Sequence, residues 1–201
     1  IGLALTGFTA YYVAHTPALL EAVAPLFIVF ILAELGLVFF LSARIAKMKA
    51  STATSMFVVY SVLNGVTLSV IFLIYTQASI FSTFLVTALT FGTCSVYGMV
   101  TKKDLTGMGQ FLFMGLIGLI IASVVNMFMG STTLDYIISF GGVLIFTGLT
   151  AYDVQKLKRI GSQIEYEDDT TRKLTIMGAL TLYLDFINLF LFLLRFFGNR
   201  K

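Results

Sequence analysis

The sequence predicts an all-α integral membrane protein of seven transmembrane helices, and three observations predict it. Apolar residues make up 58% of the chain and charged residues only 11%, less than half of the roughly one quarter found in soluble domains. The apolar runs are continuous instead of alternating, which excludes a β-barrel. Charges gather in short segments between stretches of about 20 residues, the length a helix needs to cross a bilayer. Mean hydropathy is +0.97. In such a chain a net charge of +3 reports topology and carries no signal for nucleic acid.

Each span can be justified in order. The first stretch, IGLALTGFTAYYVAH, is short. The chain opens on Ile1 inside an apolar run, which points to a polar N-terminus preceding it, and no cleavable signal peptide is visible. Pro17, Glu21 and Pro25 mark an exit loop and the next entry. The second span runs from about Ala24 to Ala43, interrupted only by Glu34. From Ala50 to Thr101 there is no charge; this is too long for one helix, and the polar break TQAS at Thr76–Ser79 divides it. A fifth span covers about Met108 to Met129, before the break GSTT. The sixth runs from about Leu134 to beyond Asp153, and the seventh from about Leu174 to Phe197. No repeat, low-complexity segment or soluble domain is left over, so residues 1–201 read as one domain. Cys94 is the single cysteine; it cannot form an intrachain disulfide and reads as a packing residue.

Lysine and arginine set the orientation. The segments after spans two, four and six carry Arg44, Lys47 and Lys49, then Lys102 and Lys103, then Lys156, Lys158, Arg159, Arg172 and Lys173. Those after spans one, three and five carry none. The even-numbered loops, and with them the N-terminus, are therefore expected in the cytoplasm. A fully crossing seventh helix would place Arg195, Arg200 and Lys201 outside, against the rule; a re-entrant helix is the other reading.

Three carboxylates lie at membrane depth, where an ionisable residue is a functional candidate by default. Asp185 sits in LTLYLDFINLFLFLLRFFG. With Gly178, Thr181, Asn188, Phe192 and Arg195 it falls on a stripe about 100° wide, opposite a face of Leu, Ile and Phe. The stripe is expected to turn inward, away from lipid. Asp153 lies three residues before Lys156 and could pair with it. Alternatively it reaches Asp185, provided the sixth helix continues past Lys156–Arg159 with those cations snorkelling to water. Two carboxyls so placed cannot both ionise cheaply. They would share a proton and titrate as a unit, bridging the helices when protonated and repelling when both are charged. Glu34 lies roughly 15 Å deeper than Arg44 along its helix, too far to pair directly. It needs a partner on another helix, a proton or a passing cation. Glu34, Asp185 and Asn188 are the candidate ion pathway, and Arg44 is the candidate gate or ion-pair residue.

Other polar residues carry less. His15 reads as an incidental loop residue, EYEDD at Glu165–Asp169 as a solvated turn without calcium-loop spacing, and Asn64 and Asn126 as interhelical hydrogen-bonding residues. No phosphate loop, His/Cys metal cluster or serine triad appears.

Three segments resemble the transmembrane Bax inhibitor motif family: TKKDLTGMGQFLFMGLIGLIIASVVNMF, AYDVQKLKRI and LYLDFINLFLFLLRFFG. The likeness extends over essentially the whole chain, and the short loops look like a bacterial member of the plasma membrane. The resemblance implies six helices surrounding the C-terminal one. It also implies a pH-sensitive calcium leak governed by an aspartate pair, here Asp153 and Asp185, with the family's second-helix acid at Glu34. The family's gating arginine, for which Arg44 is the nearest candidate, would close the pore by pairing with Asp153. Calcium would be the permeant ion, touching Asp153 and Asp185 weakly, since a leak path must let ions leave; no tightly bound cofactor is expected. Three alternatives stand beside this reading. An intramembrane aspartyl protease would carry GxGD where this chain has LYLD, so the chain reads as a non-enzyme. A calcium/proton exchanger would use the same carboxylates stoichiometrically. A non-conducting regulator would bind other membrane proteins.

Overall fold

The fold comes from a computed structural model, which describes residues 1–162 and 169–201. Among the described residues seven helices follow one another: α1 (Gly2–Ala14), α2 (Pro17–Arg44), α3 (Ala50–Ile74), α4 (Gln77–Val100), α5 (Thr106–Met129), α6 (Thr132–Gly161) and α7 (Asp169–Phe197). The last six are long and apolar enough to cross a membrane. At 13 residues, α1 spans roughly 20 Å. The chain divides into two compact units, Ile1–Gln77 with Ile164–Tyr183 and Arg200–Lys201, and Ala78–Gln163 with Leu184–Asn199. Helix α7 contributes to both.

Burial differs sharply between helices. Among the described residues α6 buries nine positions, whereas α2 buries only Leu41 and α5 only Gly109 and Leu119. Most side chains of α2 and α5 are therefore left to lipid.

In the first unit, the segment expected as a loop after span one is helical. Thr16 is extended and Pro17 takes the first position of α2, where its missing N–H is not needed and its fixed φ suits a helix. Pro25 falls in a 3-10 turn at Ala24–Leu26, so the helix tightens there and continues. Helix α3 is interrupted at Ser69–Val70. The Ser69 hydroxyl donates to Val66 O at 2.7 Å, and the helix resumes over Ile71–Ile74. The break before α4 is narrower than TQAS, because Gln77 already opens α4. Asp169 opens α7 and is no turn residue, while Glu165–Asp168 of the acidic run lie outside the described residues. Its carboxylate accepts the Ala50 N–H at 3.2 Å and pairs with Lys173 at 2.8 Å, placing negative charge where the N-terminus of α3 favours it. His15 ends α1; its Nδ1 lies 2.8 Å from Tyr11 O and its Nε2 3.1 Å from the Gln77 amide. The tail meets the end of α3: Lys201 donates from its backbone to Ile74 O (2.9 Å) and from Nζ to Phe72 O (2.7 Å). Arg200 stands 6.0 Å over the Tyr75 ring. The two tail cations thus lie at the segment after the third span, which has no cation of its own, and carbonyls and a ring hold them there.

In the second unit, α4 and α6 approach so closely at Gly98 that a Cβ there would overlap the Ala151 carbonyl oxygen. Small residues at such crossings let membrane helices gain van der Waals contact. Phe146 and Leu149 of α6 pack with Leu189 and Leu193 of α7, flanked by Phe91 and Leu112. The GSTT break is a compact turn. Gly130 ends α5 with φ +61°, a left-handed conformation that favours glycine. Asn126 does not reach another helix; it accepts the Ser131 N–H at 3.0 Å. The Ser131 hydroxyl in turn accepts from Leu134 N, capping α6.

Helix α6 does continue past Lys156–Arg159, to Gly161. Lys158 donates to Met99 O at 2.6 Å, satisfying a terminal carbonyl of α4. Arg159 pairs with Asp104 at 2.7 Å. The Thr106 hydroxyl and N–H, with Arg159 behind them, hold the Asp104 carboxyl well below the usual carboxylate range. A lowered native value means that this interaction supports the fold above the ordinary carboxylate range and is lost as pH falls through the native value. Asp104→Asn is therefore expected to show a small stability deficit at neutral pH that shrinks in acid. Thermal unfolding in detergent at about pH 7 and about pH 3 checks this. A deficit that grows in acid would contradict it.

Candidate functional site

Asp153 and Asp185 come together in the second unit. Asp153 lies eight residues before the end of α6, with Val154 and Gln155 buried beside it. Asp185 lies on α7, 5% exposed, followed by the buried Phe186 and Ile187. Phe186 is fixed by edge contacts to Phe84 and Phe91 of α4, 5.6 and 5.4 Å between centroids. The two carboxyl groups are within hydrogen-bonding reach of each other. Oδ2 of Asp185 is buried and has no hydrogen-bond partner among the described residues. Ionised carboxylates only accept, so two of them can be joined by a hydrogen bond only if one carries a proton. Lys156 does not close an ion pair with Asp153. Its ammonium stands 6.0 Å over the Tyr152 ring and acts on Asp153 through its field.

Asn188, one turn beyond Asp185, donates to Leu184 O at 2.8 Å, and Thr181 to Met177 O at 3.0 Å. Thr181 and Asn188 of the polar stripe are thus satisfied within α7, while Arg195 pairs with Asp135 of α6 at 3.4 Å. Leu180, Tyr183, Phe190 and Leu194, on the opposite face, are buried as well, whereas Leu174 and Phe197 near the ends of α7 are exposed.

Glu34 belongs to the first unit, where it has partners of its own. Its Oε1 accepts from the Thr67 hydroxyl at 2.8 Å and its Oε2 from Asn64 Nδ2 at 3.3 Å. Asn64 Oδ1 accepts from Tyr183 OH at 3.0 Å, which in turn lies 2.6 Å from the Thr6 hydroxyl. Arg44, exposed at the end of α2, has its guanidinium 6.0 Å over the Phe40 ring of the same helix.

A family model described as Inhibitor of apoptosis-promoting Bax1 matches residues 1–201. The chain belongs to the Bax inhibitor family. It is 53% identical over 205 residues to Inner membrane protein YbhL of Escherichia coli (strain K12), an alignment covering 100% of this chain and 88% of that protein. An uncharacterized protein of Borreliella burgdorferi is 48% identical over 204 residues, covering 100% and 88%. One of Deinococcus radiodurans is 45% identical over 201 residues, covering 100% and 86%.

This Bax inhibitor family member is thus a multi-pass membrane protein with two separate polar sites at membrane depth. Among the described residues no three His, Cys, Asp or Glu side chains gather to hold a metal ion. The Asp153–Asp185 pair offers two acidic groups, short of the six to eight oxygens calcium takes. Sequence reasoning singled out Asn64 without its partners, and missed Tyr183, Thr67 and Thr6. Tyr183 lies off the polar stripe and reads as one more aromatic. Its hydroxyl becomes informative only once burial shows that it must find a partner.

Proposed function

We propose that this protein is a pH-sensitive calcium leak channel gated by the proton shared between Asp153 and Asp185, with α7 at the centre of the helices. The observation that supports this most directly is the buried Asp185 carboxyl with a second carboxyl against it and an oxygen left without a donor. One proton on the pair bridges α6 and α7. Losing it leaves two like charges side by side in a poorly solvated site, which favours separation. Calcium, a hard cation that binds oxygen, is drawn to the opened pair, and two acidic ligands hold it weakly enough to let it pass. Asn188, one turn beyond Asp185, lies on the same path, Arg44 is the gate residue on the cation-rich side, and no bond-making chemistry is involved. On this reading that side and the N-terminus face the cytoplasm of a bacterial cell, which the Lys/Arg bias of the loops supports.

Calcium flux into liposomes holding the purified protein tests the reading, from about pH 5 to about pH 8. Wild-type flux is expected to rise with pH. Asp153→Asn and Asp185→Asn should flatten that dependence, since an amide bridges to the remaining carboxyl in either of its protonation states and two like charges can no longer face each other. Mutants that retain the wild-type profile would make the aspartates structural. Calcium driven uphill by a proton gradient would identify an exchanger, and no flux at any pH would favour a regulator of other membrane proteins.

A further inference from the structure

We infer that Glu34, Asn64, Thr67 and Tyr183 form a second proton-binding site, in the first unit, whose occupancy reverses a hydrogen-bond chain running from Glu34 to Tyr183 and Thr6. This inference does not rest on the calcium reading. Three hydroxyls make the case. Each has one proton to give and more than one acceptor in place. Thr67 Oγ1 reaches Glu34 Oε1 at 2.8 Å and Asn64 O at 3.0 Å. Tyr183 OH reaches Asn64 Oδ1 at 3.0 Å and Thr6 Oγ1 at 2.6 Å. Thr6 Oγ1 reaches Tyr183 OH, Ser61 O at 2.8 Å and Gly2 O at 3.0 Å. Thr6, Ser61, Asn64, Thr67 and Tyr183 are all buried, so water does not substitute for a missing partner.

Two complete arrangements follow. With Glu34 ionised, every proton points toward it: Thr6 donates to Tyr183, Tyr183 to Asn64 Oδ1, and Asn64 Nδ2 and Thr67 to the carboxylate. With Glu34 protonated, the carboxyl donates to the turned-over Asn64 amide and Asn64 Nδ2 donates to the Tyr183 oxygen. Tyr183 then donates to Thr6, and Thr6 to Ser61 O or Gly2 O, while Thr67 turns to Asn64 O. The backbone carbonyls of Ser61, Gly2 and Asn64 terminate this second arrangement. A hydroxyl gives one proton and accepts on two lone pairs, so the chain switches by rotation with no change of packing. The titratable groups that feel the Glu34 charge from neighbouring helices are Tyr60 of α3 and Tyr183 of α7. Neither carries a positive charge that would pin Glu34 as a carboxylate. A proton on α2 is thereby read out at a side chain of α7.

Infrared difference spectra of the purified protein in lipid, recorded across pH, test this directly. A protonated-carboxyl band absent from Glu34→Gln is expected, together with a tyrosine signal of the same midpoint, identified by ring-deuterated tyrosine in the wild type and by its loss in Tyr183→Phe. Asn64→Leu should keep the carboxyl band and lose the accompanying tyrosine change. Two results would each overturn the inference: a Tyr183 signal that persists in Glu34→Gln, or a Glu34 band that titrates in wild type with no tyrosine change. No Glu34 carboxyl band at any pH would overturn it too. None of these readouts depends on ion flux.

Discussion

Gly98→Ala is expected to lower the stability of the protein by about 1–3 kcal/mol, and Gly98→Leu to prevent α4 and α6 from packing at all. The neighbour that a Cβ would strike is the Ala151 carbonyl oxygen. Backbone cannot rotate aside as a side chain can, so the helices must part along their length. Parting them also removes contacts on either side of the crossing, and in a bilayer those contacts are the main force holding helices together. Gly92, on the same helix, has nothing within 4 Å of the Cβ position. Gly92→Ala should therefore be neutral or slightly stabilising, since alanine gives up less backbone freedom. Denaturant midpoints in mixed micelles separate the two. Equal losses would mean that α4 and α6 do not cross at Gly98.

Gln155→Leu is expected to be nearly as damaging. Gln155, 6% exposed, clamps the segment between α4 and α5: its Nε2 donates to Lys103 O at 2.8 Å and its Oε1 accepts from Leu105 N at 2.9 Å. Arg159 donates to the same Oε1 at 2.9 Å. Leucine fills the volume but pairs with none of these. Leu105 is buried, so its stranded N–H costs about 1–3 kcal/mol, and the bond to Lys103 adds about 1 kcal/mol. Amide hydrogen exchange at Leu105 reads the clamp directly and should speed up in the variant. Unchanged protection there, or an unchanged unfolding midpoint, would show that the segment holds itself.

The helices were legible because each apolar run is long and bounded by charge or a polar break, which in a lipid solvent leaves only helix as an option. The start of α2 was not. Pro17 and Pro25 read as loop markers, yet proline at a helix start or in its first turns is tolerated, and one residue type has both meanings. The reach from Asp153 to Asp185 was legible as a condition on the length of α6. The internal satisfaction of Asn188 was not, because an asparagine that bonds its own helix and one that faces an ion look alike in sequence. Gln155 was passed over inside AYDVQKLKRI, where the neighbouring cations gave the segment an interfacial look. The backbone groups it clamps, at Lys103 and Leu105, lie about fifty positions upstream, and no local periodicity could join them. The Glu34 chain failed for the same reason: it takes residues from α1, α2, α3 and α7, and only packing selects them.

The near absence of burial along α2 and α5 has a consequence for how this sequence can drift. Lipid chains test a side chain for hydropathy and leave its shape unexamined. Along most of those two helices leucine, isoleucine, valine, phenylalanine and methionine are interchangeable, and substitutions there should accumulate nearly free of selection. The demand for particular shapes falls instead on α6 and α7, and on the few positions such as Gly109 and Leu119 where α5 turns away from lipid. In relatives of this protein the most hydrophobic helices should therefore be the least faithfully copied.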